Sequence, residues 1–93
     1  MIECFACKET AKVFLGERSR KLPGAIQARA LMKLRQLHRT VSIEQLRLPP
    51  SNRLETLSGN LAGFWSIRVN QQWRIVFRWA EGKASDVQIT DYH

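Results

Sequence analysis

Residues 64–79 read FWSIRVNQQWRIVFRW, and two runs within them alternate with a period of two. In residues 64–69, Trp65, Ile67 and Val69 share one side, with Ser66 and Arg68 on the other. In residues 73–79, Trp73, Ile75, Phe77 and Trp79 share one side, with Arg74, Val76 and Arg78 opposite. This is the pattern of half-buried antiparallel strands. Directly opposite residues on paired strands share a face. The apolar set carries odd numbers throughout, so opposite partners must add to an even number. A two-residue hairpin is therefore excluded, and the tightest consistent register sets Val69 opposite Trp73 across the three-residue loop 70–72. Arg68 then faces Arg74 directly.

Working outward, residues 87–92 alternate again, with Val87 and Ile89 inward and Gln88, Thr90 and Tyr92 outward. One register sets Phe77 opposite Ile89 and Arg74 opposite Tyr92, and shifts of two residues to either side satisfy the same rule. Upstream, residues 53–57 form a short strand candidate, and Ser58-Gly59-Asn60 reads as a turn. Residues 25–39 change period: Ile26, Ala30, Leu31, Leu34 and Leu37 recur at intervals of three and four, an amphipathic helix of about four turns. Pro23 sits at its start, and Arg29, Lys33, Arg35 and Arg39 line its other face. Ser42 and Gln45 form a capping-box pair for a short helix ending near Leu46, followed by a turn at residues 49–52. Residues 8–15 form a first helix, with Ala11, Phe14 and Leu15 inward and Gly16 ending it. Residues 1–6 read as a first strand, with Ile2, Cys4 and Ala6 on one side. Helices first and strands after define an α+β fold, with the N-terminal helices on one face of a small, mainly antiparallel sheet.

Ninety-three residues suffice for one core, so a single domain spanning 1–93 is expected. No run approaches the length of a membrane span, and the N-terminus lacks the pattern of a signal peptide, so a cytoplasmic protein with no membrane partner is expected. Fifteen Lys and Arg against eight Asp and Glu leave a charge of +7, and ten of the cations are Arg. Arginine suits bidentate phosphate contact and base stacking, so nucleic acid or an acidic protein is the expected partner. Cys4 and Cys7 form an isolated CxxC without the further ligands of a structural zinc site; both read as small buried residues. His38 reads as a helix-end histidine without function.

On the outward face, Arg68 and Arg74 stand side by side, with Tyr92 and Arg78 near them. Like charges directly opposite one another destabilise a sheet, and a phosphodiester would relieve that cost. An outward Arg74 should be removable without loss of folding. Inward parity puts the Asp91 carboxylate at the edge of the core, and His93 titrates in the range that proton transfer needs.

Several strings resemble one known group. Pro49-Pro50-Ser51-Asn52-Arg53-Leu54-Glu55, Leu57-Ser58-Gly59, Ser66-Ile67-Arg68-Val69-Asn70, Gln72-Trp73-Arg74-Ile75 and the terminal Asp91-Tyr92-His93 are similar to the HigB toxins, GraT-like members included, of the RelE/ParE superfamily. The resemblance covers the whole chain and implies a compact RelE-like fold. It implies a toxin of a type II toxin–antitoxin system: an endoribonuclease that cuts translated mRNA on the ribosome without metal or cofactor, by attack of the ribose 2′-OH on the adjacent phosphate. It also implies a helix-turn-helix, HigA-like antitoxin bound in a hetero-oligomer. By position, Arg74, Asp91, Tyr92 and His93 match the group's catalytic residues, and Arg68, Arg74 and Arg78 become candidates for holding RNA phosphate. Some ribosome-dependent relatives carry a catalytic His in the motif that here reads Arg53-Leu54-Glu55-Thr56-Leu57. This chain has Glu55 there, and Ser58 where another relative has Lys. Glu55 or His93 would then be the base. ParE members share the fold and inhibit DNA gyrase without chemistry, which is the alternative reading.

Overall fold

The computed structural model describes residues 1–91; Tyr92 and His93 lie outside the described residues. Helix α1 spans Lys8–Phe14 and α2 spans Gly24–Arg39. Strands β1 (Glu55–Thr56), β2 (Phe64–Arg68), β3 (Trp73–Ala80) and β4 (Lys83–Asp91) form one antiparallel sheet in the order β1-β2-β3-β4. This is the expected α+β arrangement. Helix α2 turns Ile26, Ala30, Leu34 and Leu37 inward onto Ile67, Ile75, Phe77, Val87 and Ile89 of the sheet, and these side chains form one buried cluster. Arg39 in the last turn of α2 suits the negative end of the helix dipole, while its first turn has no carboxylate to complement the positive end.

The β2–β3 connection follows the parity argument. Arg68 pairs with Arg74 and Ile67 with Ile75, and the Val69 amide donates to the Trp73 carbonyl at 2.9 Å. Asn70 fixes the loop, because its Oδ1 accepts from the amides of both Gln72 and Trp73 at 2.8 Å. Between α2 and the sheet, Ser42 and Gln45 form the expected capping box on the 3₁₀ turn Ile43–Arg47, whose Leu46 is buried. A second 3₁₀ turn, Pro50–Asn52, ends on the buried Asn52, which donates to the carbonyls of Leu46 and Leu48 and ties the segment down.

The β3–β4 register is shifted by two residues from the Phe77–Ile89 match, and is among those the parity rule allows. Ile75, not Phe77, stands opposite Ile89, and Arg74 stands opposite Thr90, not Tyr92. The cause lies in the hairpin. Glu81 and Gly82, both at positive φ, make a two-residue turn that pairs Ala80 with Lys83. Continued unbroken, that pairing would bring Asp86 and Gln88 onto the core face. A bulge at Asp86 (φ 50°) adds one residue to β4 and returns Val87 and Ile89 to the core.

The same bulge shapes the N-terminus. Residues 1–6 do not form the expected strand. Ile2 and Phe5 make two isolated parallel bridges to Ala84 and Val87, on either side of the bulge. The residues that face the core are thus Ile2 and Phe5, three apart, and not Ile2, Cys4 and Ala6. Cys4 is exposed and Cys7 half-buried, so neither is the buried residue expected. Cys4 Sγ accepts the Asp86 amide at 3.3 Å, while Cys7 Sγ meets Thr10 Oγ1 at 3.0 Å. In α1 the buried residues are Thr10 and Val13, and Leu15 is exposed. Thr10 faces inward because its hydroxyl accepts the Ile89 amide at 2.9 Å, at the edge of β4. His38 is structural: its Nδ1 accepts the Ile2 amide at 3.1 Å, and its ring lies 5.3 Å from that of Phe14.

Candidate active site

The sheet face turned away from the helices carries three cross-strand rows. Arg68, Arg74 and Thr90 make one; Glu55, Ser66, Val76 and Gln88 the next; Phe64, Arg78 and Ser85 the third. Glu55, Arg68, Arg74 and Arg78 therefore lie on one face.

Arg74 is the centre of it, and it is buried, with only 6% of its surface exposed. This corrects the expectation of a solvent-facing arginine. A buried guanidinium needs partners. One is the carbonyl of Arg53, which accepts from Nη2 at 2.8 Å; another is the Glu55 carboxylate, 3.8 Å from the same nitrogen. Arg53 presents that carbonyl from a left-handed backbone (φ 46°, ψ 59°) at the end of the Pro50–Asn52 turn. A non-glycine residue held there is strained, and such residues gather at functional sites. Glu55 itself stays half exposed, open to a ligand while fixed by Arg74.

The other expected site residues spread outward from this pair. Arg68 leaves Arg74 despite facing it across the strands: its Nε donates to the Asn70 carbonyl at 3.1 Å, which turns it toward α2. Arg78 is exposed, stacks over the Phe64 ring at 4.3 Å and lies 3.4 Å from Asp86. Asp91 pairs with Trp73 at the opposite parity to Arg74, is exposed, and accepts from Gln72 Nε2 at 3.1 Å. Tyr92 and His93 fall outside the described residues.

Two participants were not foreseen from sequence. The Ser66 hydroxyl is fully buried on the Glu55 row and makes no hydrogen bond among the described residues. Its outward parity was legible; its burial was not. The Arg53 carbonyl had no sequence signal, since a left-handed arginine is not readable from residue type. Among the described residues no three His, Cys, Asp or Glu side chains converge where they could hold a metal ion. Nor is any helix there long and apolar enough to cross a membrane.

Two helices on a four-stranded antiparallel sheet is the fold of the YoeB-type toxins. The toxin chain in the heterotetrameric YoeB–YefM toxin–antitoxin complex of Staphylococcus aureus superposes with a TM-score of 0.59, over 100% of this chain and 95% of that one, at 18% identity. The family is more specific than the fold. The model of the RelE-like toxin of type II toxin–antitoxin system HigB matches residues 3–93, and the chain belongs to this HigB-like toxin family. Toxin HigB-1 of Vibrio cholerae serotype O1 is 44% identical over 68 residues, covering 73% of this chain and 72% of that protein. The endoribonuclease HigB of Proteus vulgaris is 42% identical over 41 residues, covering 44% of this chain and 45% of that one.

Proposed function

We propose that this toxin is a ribosome-dependent endoribonuclease that cuts translated mRNA without a metal. The observation that carries this reading is the buried Arg74 held between the Arg53 carbonyl and the half-exposed Glu55 carboxylate. Cleavage by the 2′-OH needs a base for the hydroxyl proton, a cation for the phosphorane, and an acid for the departing 5′-oxygen. Arg74 supplies the cation in a water-poor setting, where a fixed charge counts for more than in bulk solvent. Either Glu55 or His93 is the base. Tyr92 and His93 complete the acid–base set, with Asp91, at the opposite parity to Arg74, leading the chain into them. Arg78 reaches phosphate at the rim, and Arg68 on the flank. The partners in this reading are the ribosome with its message and a helix-turn-helix, HigA-like antitoxin that binds the toxin in a hetero-oligomer in the cytoplasm.

The test is in vitro translation with primer extension on the message, comparing the native chain with Tyr92→Phe/His93→Ala. Cuts at defined codon positions that depend on ribosomes and vanish in the variant are expected. An intact message together with inhibited DNA gyrase would overturn the reading.

A further inference from the structure

The outer side of α2 and the β2–β3 loop enclose a groove of about 1070 Å³, bordered also by Pro49 and Ser51. Its charged lining is Arg29, Lys33 and Arg39 from the helix and Arg68 from the end of β2, and no acidic residue lines it among the described residues. Among the described residues, ion pairs lie elsewhere: Lys12 with Glu9, Arg47 with Glu44, Arg74 with Glu55, Arg78 with Asp86 and Lys83 with Glu3. Among the described residues, none of the groove's four cations is in a salt bridge. Two of them stand at i and i+4 on one helix face, a spacing at which like charges repel. Lys33 feels this: partial burial, and then the Arg29 charge, hold its ammonium below the usual lysine range.

The walls are fixed. Arg29 Nη1 donates to the Val69 carbonyl at 3.4 Å, Lys33 Nζ donates to Asn52 Oδ1, and Arg68 Nε donates to the Asn70 carbonyl. Each of these cations keeps further N–H groups for an anion. From Arg29 to Arg39 the helix advances ~15 Å. A stacked strand places a phosphate every ~3.4 Å, so the row faces about four of them. The groove ends beside the candidate active face, because Arg68, which borders it, stands opposite Arg74 in the β2–β3 register.

We infer that this groove holds the single-stranded RNA backbone flanking the cleaved phosphodiester, with Arg29, Lys33, Arg39 and Arg68 on successive phosphates. The inference rests on the RNA-cutting reading and adds to it a second binding tract away from the reacting atoms.

The test uses fluorescein-labelled 2′-O-methyl oligouridylates, which lack the attacking hydroxyl, of about four and about twelve nucleotides. Binding is followed by anisotropy across a salt series. The native toxin should bind the longer probe at least ~10-fold more tightly, because only that probe reaches from the sheet face into the groove. Arg29→Gln/Arg39→Gln, both at exposed positions, should lose this gap and flatten the log–log salt slope by ~1.4, at ~0.7 for each phosphate no longer neutralised. Arg20→Gln/Arg35→Gln removes the same charge outside the groove and should keep the gap. Circular dichroism verifies that each variant is folded. The inference is overturned by a gap that survives in the groove variant, by equal losses in the control variant, or by tighter binding of a twelve-pair RNA duplex. Displacement of the long probe by an oligoglutamate peptide at lower concentration than by unlabelled RNA would make the groove a protein-docking surface instead. A toxin that cuts message on the ribosome yet shows no length gap loses the groove and keeps the site. One that shows the gap but never cuts loses the site, and with it the assignment of the groove to the cut strand.

Discussion

The two faces of the sheet are built from the same strands by opposite rules. On the helix side, Ile67, Ile75, Phe77, Val87 and Ile89 are almost wholly buried and pack together in one apolar cluster. On the other side, Ser66 and Arg74 are almost as buried, but they are polar. Burial on the first face releases apolar surface from water and stabilises. Burial on the second costs free energy and is offset only where a partner such as the Arg53 carbonyl is supplied. A face that buries a guanidinium depends for its stability on the partners that the guanidinium is given.

The sharpest way to break this contrast is Phe77→Ala. Phe77 is fully buried on the core face, and its truncation should cost about 3–5 kcal/mol, read by urea unfolding. That approaches the whole stability of a domain of this size. A drop below about 1 kcal/mol would mean the core face is not the stabilising one.

Arg74→Ala tests the other side and should have two effects. Removing the buried side chain leaves the Arg53 carbonyl without its donor, so about 1–3 kcal/mol of stability should go. Cleavage should fall at least ~100-fold, as when a preorganised charge is taken from a transition state. Arg74→Lys keeps the charge but not the planar fork, and should recover part of the stability and less of the cleavage. A stable Arg74→Ala toxin would show that burial there is incidental.

The faces also differ in how far they could be read in advance. The core face was legible because alternation alone assigns it, and the same parity rule gave the Arg68–Arg74 pairing. The capping box at Ser42 and Gln45 is a local signal and was legible for that reason. For β3–β4 parity left several registers, the observed one among them, and did not show the bulge at Asp86, which answers a conflict between a turn at Glu81-Gly82 and apolar residues further on. No local pattern reveals such a compromise. On the outer face, parity marked Arg74 as outward, but outward and exposed are different statements. Its cover comes partly from Arg53, twenty-one positions earlier in the chain. Glu55 came only through the family resemblance, although its pairing with Ser66 puts it beside Arg74.

Glu55→Gln separates function from stability on that outer face. The carboxylate is half exposed, so its ion pair with Arg74 should contribute below about 1 kcal/mol. If Glu55 is the base, cleavage should drop by about 10²–10⁴-fold while unfolding barely moves. Glu55→His should keep part of the activity. Unchanged cleavage by Glu55→Gln would move the base to His93, and the outer face would then keep Arg74 as its working residue and Glu55 as a mere counter-ion.

The smallest expected effect lies on neither face and calibrates both. Glu9, on α1, accepts a hydrogen bond from the Ser19 hydroxyl, which also receives the Lys21 amide and so braces the loop before α2. That hydrogen bond, first among the causes, holds the Glu9 carboxyl below its ordinary value near 4.5; Lys12 adds to it, and partial desolvation opposes it. The sign follows from linkage. A carboxyl depressed in the folded state contributes stability that is present above its unfolded value and is lost as pH falls through the folded one. Urea midpoints of the native toxin should therefore decline below about pH 4.5 by slightly more than those of Glu9→Gln, and the two curves should run parallel at neutral pH. Glu9 lies in α1, outside the sheet, so cleavage at neutral pH should be the same in both. If Glu9→Gln instead weakens cleavage at neutral pH, the loop braced by Ser19 is coupled to the outer face, and the division between a stabilising side and a working side does not hold across the whole molecule.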